Sequence, residues 1–84
     1  MMEPSITVRL FAQARECAEA ERVILAAGTA ATVGELRTEL LRLYPDLRPV
    51  LARSVLAVNQ NYVGNDHPVA PGDEVAVIPP VAGG

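Results

Sequence analysis

At 84 residues, half of them apolar, the chain is sized for one domain, 1–84, with a small core, and is too apolar to be a disordered segment. Its formal charge is −3 and all seven cations are arginine, without a basic run; that argues against nucleic acid or an anionic membrane and for a basic or apolar protein partner. A single cysteine (Cys17) and a single histidine exclude an intramolecular disulfide and an ordinary zinc site, and without an apolar span or a secretory pattern at the N-terminus the expected location is cytoplasmic.

The first element is the run ITVRLFA, Ile6 to Ala12. Ile6, Val8 and Leu10 fall on one face, with Thr7, Arg9 and Phe11 on the other, the alternation of a strand with one buried side. The Ala/Glu-rich stretch 12–21 predicts a short helix or turn. RVILAAG, Arg22 to Gly28, is β-branched and predicts a second strand, hairpinned with the first. With aromatics limited to Phe11, Tyr44 and Tyr62, the core falls to Val, Leu, Ile and Ala.

TVGELRTELLRLYP, from Thr32 to Pro45, is the clearest element. Thr32 followed three residues on by Glu35 makes a capping box. Val33, Leu36, Leu40, Leu43 and Tyr44 recur at helical spacing, and Pro45 ends the helix. Arg37 lies near the edge of that stripe, where its stem is expected along the sheet and its head in water. Residues 46–54 predict a helical turn or loop. LAVNQNYV, Leu56 to Val63, reads as a strand entering a hairpin, with Asn59 and Asn61 as turn residues that tolerate left-handed angles. A Pro71–Gly72–Asp73 turn precedes a last strand, EVAVI, which stops at Pro79–Pro80.

The order β, β, α, β, short β, β with one amphipathic helix predicts a two-layer α+β domain, a mixed sheet of four to five strands on one main helix. If the first strand lies beside the last, this is the ubiquitin-like β-grasp arrangement.

After the last strand comes PPVAGG, taken here as an extended, flexible tail, 79–84, with a chemical use. A terminal carboxylate on Gly84 is ionised at neutral pH and is a poor electrophile, so it reacts only once activated as an acyl phosphate or acyl adenylate. Without Cβ atoms, Gly83 and Gly84 can thread a narrow channel. Pro79 and Pro80 end the sheet ladder and stiffen the exit. Extended, the six residues span roughly 20 Å, enough to reach a partner's buried site. The plain alternative is a frayed end.

Several stretches together resemble the small, sulfur-carrier subunit of molybdopterin synthase: RLFAQARE, TVGELRTEL, AVNQNYV, DHPVAPGDEVAVIPP and the final PPVAGG. They run from Arg9 to Gly84, and the last run is the most specific because several spacings must match at once. The resemblance implies a β-grasp fold and a chain that is itself a reactant. An E1-like adenylating enzyme would spend ATP to adenylate the Gly84 carboxylate. A sulfur donor protein would convert it to a thiocarboxylate. The loaded tail would enter the large catalytic subunit, in a heterotetramer, and give sulfur to cyclic pyranopterin monophosphate. The chain itself would bind no cofactor or metal and would act as a non-catalytic subunit.

The expected partner-binding set is Val81, Ala82, Gly83 and Pro80 of the tail with Ile78, Phe11, Arg15 and Tyr62. Phe11, Ile78 and Tyr62 would share the outer side of the sheet as a docking patch, unless a helix or loop covers them. Arg15 would meet an acidic partner residue, or else remain a solvated charge. Cys17, with no neighbouring His or Lys, is expected as a packed or half-buried thiol, and His67 as a loop-ordering residue. Competing functions are a sulfur carrier for thiamin synthesis, a ubiquitin-like modifier and an inert interaction module.

Overall fold

The structure, a computed structural model, describes residues 4–26 and 28–80. In chain order it contains β1 (Ser5–Leu10), α1 (Ala12–Ala18), β2 (Arg22–Ala26), α2 (Val33–Leu43), a 3-10 turn (Pro45–Leu47), α3 (Arg48–Arg53), β3 (Val55–Val58), β4 (Asn61–Val63) and β5 (Glu74–Ile78). The five strands form one sheet in the order β2-β1-β5-β3-β4. At its centre β1 and β5 run parallel, with Thr7 opposite Glu74 and Leu10 opposite Val77. The other pairings are antiparallel. Two hairpins flanking a parallel central pair, with α2 in the crossover between them, make the ubiquitin-like β-grasp expected from the element order.

Alternation decides which face is buried. Ile6, Val8 and Leu10 of β1, Val23 and Leu25 of β2, Val75 and Val77 of β5, and Leu56 and Val58 of β3 all enter one core cluster. Val33, Leu36 and Leu40 of α2 enter the same cluster, each fully buried. The helix therefore covers one face of the sheet.

The N-terminus of α2 is capped as the Thr32/Glu35 spacing requires. Thr32 Oγ1 accepts from the Glu35 N–H at 3.3 Å. The returning carboxylate reaches one residue further back, with Glu35 Oε1 accepting from the Ala31 N–H at 2.7 Å. At the other end the stripe is shorter than expected. Leu43 is 42% exposed. The chain reverses through Tyr44, and the fully buried Leu47 fills the end of the core instead.

Arg37 corrects a second expectation, because its head is half-buried and bonded to the protein and is not simply solvated. The guanidinium donates to Leu51 O at 2.7 Å, Ser54 O at 3.0 Å and Asn65 Oδ1 at 2.9 Å. It thereby ties α2 to the end of α3 and to the loop after β4. Partial burial lowers its pKa, but a guanidinium stays charged at any physiological pH.

The β3–β4 turn needs two left-handed residues, and they are Asn59 (φ 50°) and Gln60 (φ 74°), whereas Asn61 opens β4. Two such residues in a row match the turn type whose twist suits a two-residue hairpin. Asn59 then locks the hairpin to β5. Its Nδ2 donates to Asp73 Oδ1 at 3.0 Å and its Oδ1 accepts from the Glu74 N–H at 3.1 Å. Asp73 Oδ2 also accepts from the Ala70 N–H at 2.8 Å, closing the Pro71–Gly72 turn, where Gly72 has φ 89°. As expected, Cys17 is half-buried against the core. His67 orders its loop, its backbone carbonyl accepting from the Val33 N–H at 2.9 Å.

Two stability predictions follow from these contacts. Arg37→Ala strands two backbone carbonyls and is expected to lower the unfolding free energy by about 1–3 kcal/mol in urea titration. A loss within experimental error would return the Arg37 head to solvent. The Ala70 N–H, then the Asn59 amide, hold the Asp73 carboxyl below its ordinary value. A depressed carboxyl stabilises fully above its unfolded pKa, about 3.9, and loses that contribution as the pH falls through the folded value. The gap in melting temperature between wild type and Asp73→Asn should therefore narrow below about pH 4, and a gap constant with pH would refute the assignment.

Candidate functional site

The face of the sheet turned away from α2 carries the candidate site. Register strings one row of outward residues across all five strands: Arg22 opposite Arg9, Arg9 opposite Ala76, Ala76 opposite Ala57, and Ala57 opposite Tyr62. The next row pairs Ile78 with Val55. Because Leu10 is level with Val77, the following residue, Phe11, leaves β1 level with Ile78.

These positions form an apolar surface around a floor of two alanines. Ala57 is buried but stands apart from the main core cluster. It is shielded on the outer side, where larger side chains rise around it. Phe11 is 39% exposed, Val55 50% and Tyr62 75%, while Ile78 is half-buried. Single exposed apolar residues are ordinary, but a contiguous group of this kind rimmed by polar residues marks an interaction surface. The rim here includes Arg9, Arg22 and Glu74.

The patch is joined directly to the tail. β5 ends at Ile78, a patch residue, and Pro79 follows it, buried, with Pro80 exposed. The Pro-Pro pair cannot donate to a sheet ladder, so β5 stops here. The remaining expected site residues, Val81, Ala82, Gly83 and Gly84, lie outside the described residues.

On the other side of the patch, Phe11 begins α1. It has extended angles (φ −122°, ψ 154°), and Ala12 turns the chain with a left-handed φ of 50°. The Phe11 carbonyl accepts from the N–H groups of Ala14 and Arg15 at 3.0 and 3.3 Å. Strand and helix therefore both hold the aromatic ring on the outer face. Arg15 stands on the first turns of α1 and pairs with Glu21 at 3.6 Å, both side chains well exposed. Such a pair contributes little to stability.

Of the residues expected from sequence, Phe11, Ile78 and Tyr62 thus share one face, which no helix among the described residues covers, and Arg15 borders it. Val55, Ala57 and Ala76 were missed. Their signal was available, because once Leu56, Val58, Val75 and Val77 point inward, alternation sends these three outward. Arg9 was placed on the outer face but given no role, and Arg22 was read only as the start of a strand.

Truncating the patch should not unfold the protein. Phe11→Ala and Tyr62→Ala are expected to change stability by at most about 1 kcal/mol, while Leu56→Ala, from the core, costs about 2–5 kcal/mol. Melting curves of the three variants check this, and a core-sized loss at Phe11 would place its ring in the fold and not on a surface for partners.

Comparison with known proteins sets this geometry in context. The ThiS family matches residues 8–84. The molybdopterin synthase sulfur carrier subunit of Escherichia coli is 40% identical over 81 residues, covering 94% of this chain and 99% of that protein. Among solved structures, SAMP1 from Haloferax volcanii superposes with a TM-score of 0.84 at 30% identity, covering 95% of this chain and 99% of that one. A chain from the complex of subunits 1 and 2 of molybdopterin-converting factor from Helicobacter pylori gives 0.70 at 26% identity, over 95% and 99% of the two chains.

Proposed function

The chain belongs to the ThiS family, among the molybdopterin synthase sulfur carrier subunits, and from that premise we propose that it donates sulfur from its C-terminus in molybdenum-cofactor biosynthesis. The observation that carries this reading is the match to a carrier subunit over 94% of the chain, with the family model reaching Gly84. The geometry supports it, since the strand that leads to the Gly-Gly end leaves the sheet at an exposed apolar patch.

In this reading Gly84 is the reactant. Its carboxylate oxygen attacks the α-phosphorus of ATP on an E1-like enzyme, pyrophosphate leaves, and an acyl adenylate forms. Sulfide-level sulfur, delivered as HS⁻ by a donor protein, then attacks the acyl carbon, AMP leaves, and a thiocarboxylate remains. A thiocarboxylate is ionised at neutral pH, and its sulfur is a soft nucleophile suited to attack on cyclic pyranopterin monophosphate. The sulfur bonds to an electrophilic carbon of that pterin as an oxygen substituent on the carbon departs, and hydrolysis of the resulting acyl–sulfur bond leaves sulfur on the pterin and returns an ordinary carboxylate. The side chains that promote these steps belong to the activating enzyme and the large subunit.

The patch serves both encounters. Phe11, Val55, Ile78 and Tyr62 dock the partner while Pro80 to Gly84 extend into its active site. The mixed complex from Helicobacter pylori supports a large-subunit partner. Binding energy gained on the rigid sheet offsets the entropy lost when the tail is ordered in a channel.

A second reading draws on the likeness to SAMP1, a small archaeal modifier protein. The same activated terminus could pass to a lysine of another protein. With no lysine of its own, the chain offers no side-chain amine on which to extend a polymer. Each acceptor lysine would then carry a single copy.

Intact mass after incubation with the E1-like enzyme, ATP and a sulfur source tests the leading reading. The expected result is replacement of one oxygen by sulfur at Gly84. High-mass lysine conjugates in place of that shift would favour the modifier. Adding one residue after Gly84 is expected to abolish sulfur transfer with the melting temperature unchanged. Transfer by the untrimmed, extended chain would overturn the channel argument.

A further inference from the structure

Next to the apolar patch the outer face changes character. Register sets Arg22 of β2 directly opposite Arg9 of β1, and both side chains are exposed. Like charges facing each other across an antiparallel pair oppose folding. Their neutralisation within the chain is thin. Arg9 approaches Glu74 at 3.9 Å, with side chains 48% and 52% exposed, and its guanidinium carbon lies 5.4 Å from the centre of the Phe11 ring. Among the described residues no carboxylate pairs with Arg22. Arg15 closes the group from α1. The three arginines, with Leu10, Phe11 and Glu21, line a notch of about 110 Å³. That is several times the roughly 10–15 Å³ that one water requires, so a carboxylate head group fits. Three of the seven cations of a chain with net charge −3 therefore converge on one recess beside the patch.

We propose that this notch receives an Asp or Glu side chain of the protein that docks on the patch, its carboxylate seated between Arg9 and Arg22 against Phe11. Guanidinium groups bind carboxylates through paired N–H donors, more strongly where contact excludes water. Phe11 belongs to both features, so the aromatic anchor and the charge contact would form together. The docking half rests on the sulfur-carrier reading. The notch's preference for a carboxylate does not.

Two experiments separate these halves. In the first, the isotope-labelled full chain is titrated with acetylated tetraglutamate, and with tetraglutamine and inorganic phosphate as controls. Saturable shifts of the Arg9, Arg15 and Arg22 Nε–H signals are expected, about tenfold weaker binding in Arg9→Gln/Arg22→Gln, and no response to tetraglutamine. Equal shifts at Arg48 and Arg53, no shifts at all, or tighter saturation by phosphate would each overturn the proposal, the last by making the notch a small-anion site.

The second experiment measures association with the large synthase subunit from the same organism. Arg22→Glu is expected to slow association about tenfold and flatten its salt dependence. The same change should raise the melting temperature of the free chain by about 1–3 °C, because it replaces a repulsion with an attraction. A residue kept for folding would show the opposite sign, and lowered stability would sink the proposal. Unchanged association would also sink it and leave the sulfur-carrier reading intact. Failure of the wild-type chain to bind the large subunit, while tetraglutamate still titrates the notch, would remove the carrier reading and uphold the carboxylate site.

Discussion

The parallel pairing of β1 with β5 is the constraint from which the rest follows. A parallel pair cannot be closed by a tight turn and needs a long crossover. Here the crossover contains α2 and covers one face of the sheet. The other face is left open, and alternation along each strand then decides what stands on it. Placing Leu10 level with Val77 puts Phe11 beside Ile78, so the only phenylalanine of the chain borders the point where the last strand ends. An offset of one residue along either strand would send its whole apolar set to the opposite face.

Stability and binding are separated in space by this arrangement. The helix-covered face holds the fully buried Val and Leu residues. Peripheral polar contacts then fix the ends of elements. Arg37 joins α2 to the end of α3 through backbone carbonyls, and Asn59 joins the β3–β4 hairpin to Asp73 and Glu74. Neither contact uses the outer face. That face can therefore hold features with no advantage for folding: exposed Tyr62 and Val55, and arginines opposed across a strand pair. Residues that weaken a fold slightly, without a packing reason, are the ones to examine for binding.

Much of the fold was legible because the signals were local and agreed with each other. The Thr32/Glu35 spacing, the 3.6-residue stripe and Pro45 each marked α2, and the alternation in 6–11 marked β1 with its buried face. What local pattern could not carry was where an end meets something distant in sequence. Leu43 continues the helical stripe, yet Leu47, beyond the helix, takes the last core position. Arg37 looks like a surface arginine until the end of α3 brings two carbonyls to it. Asn61 looks like a turn residue, but the turn closes on Asn59 and Gln60, one step earlier, because a two-residue hairpin must begin where β3 ends.

The candidate site divides along the same line. Phe11, Tyr62 and Ile78 could be assigned to one side by alternation alone, whereas the final glycines lie outside the described residues. Arg9 and Arg22 could not be paired from sequence, because thirteen positions separate them along the chain and only the β1–β2 register, Arg9 to Arg22, sets them face to face. Arg15 reaches the same recess from another element. A charge group of that kind is assembled by the fold, and its meaning comes from what it adjoins. Beside water alone, three loosely neutralised arginines contribute nothing to the protein. Next to an apolar surface at the root of the tail, they give a docking protein a charge to match as well as an area to cover, and charge complementarity is what discriminates between partners of similar shape.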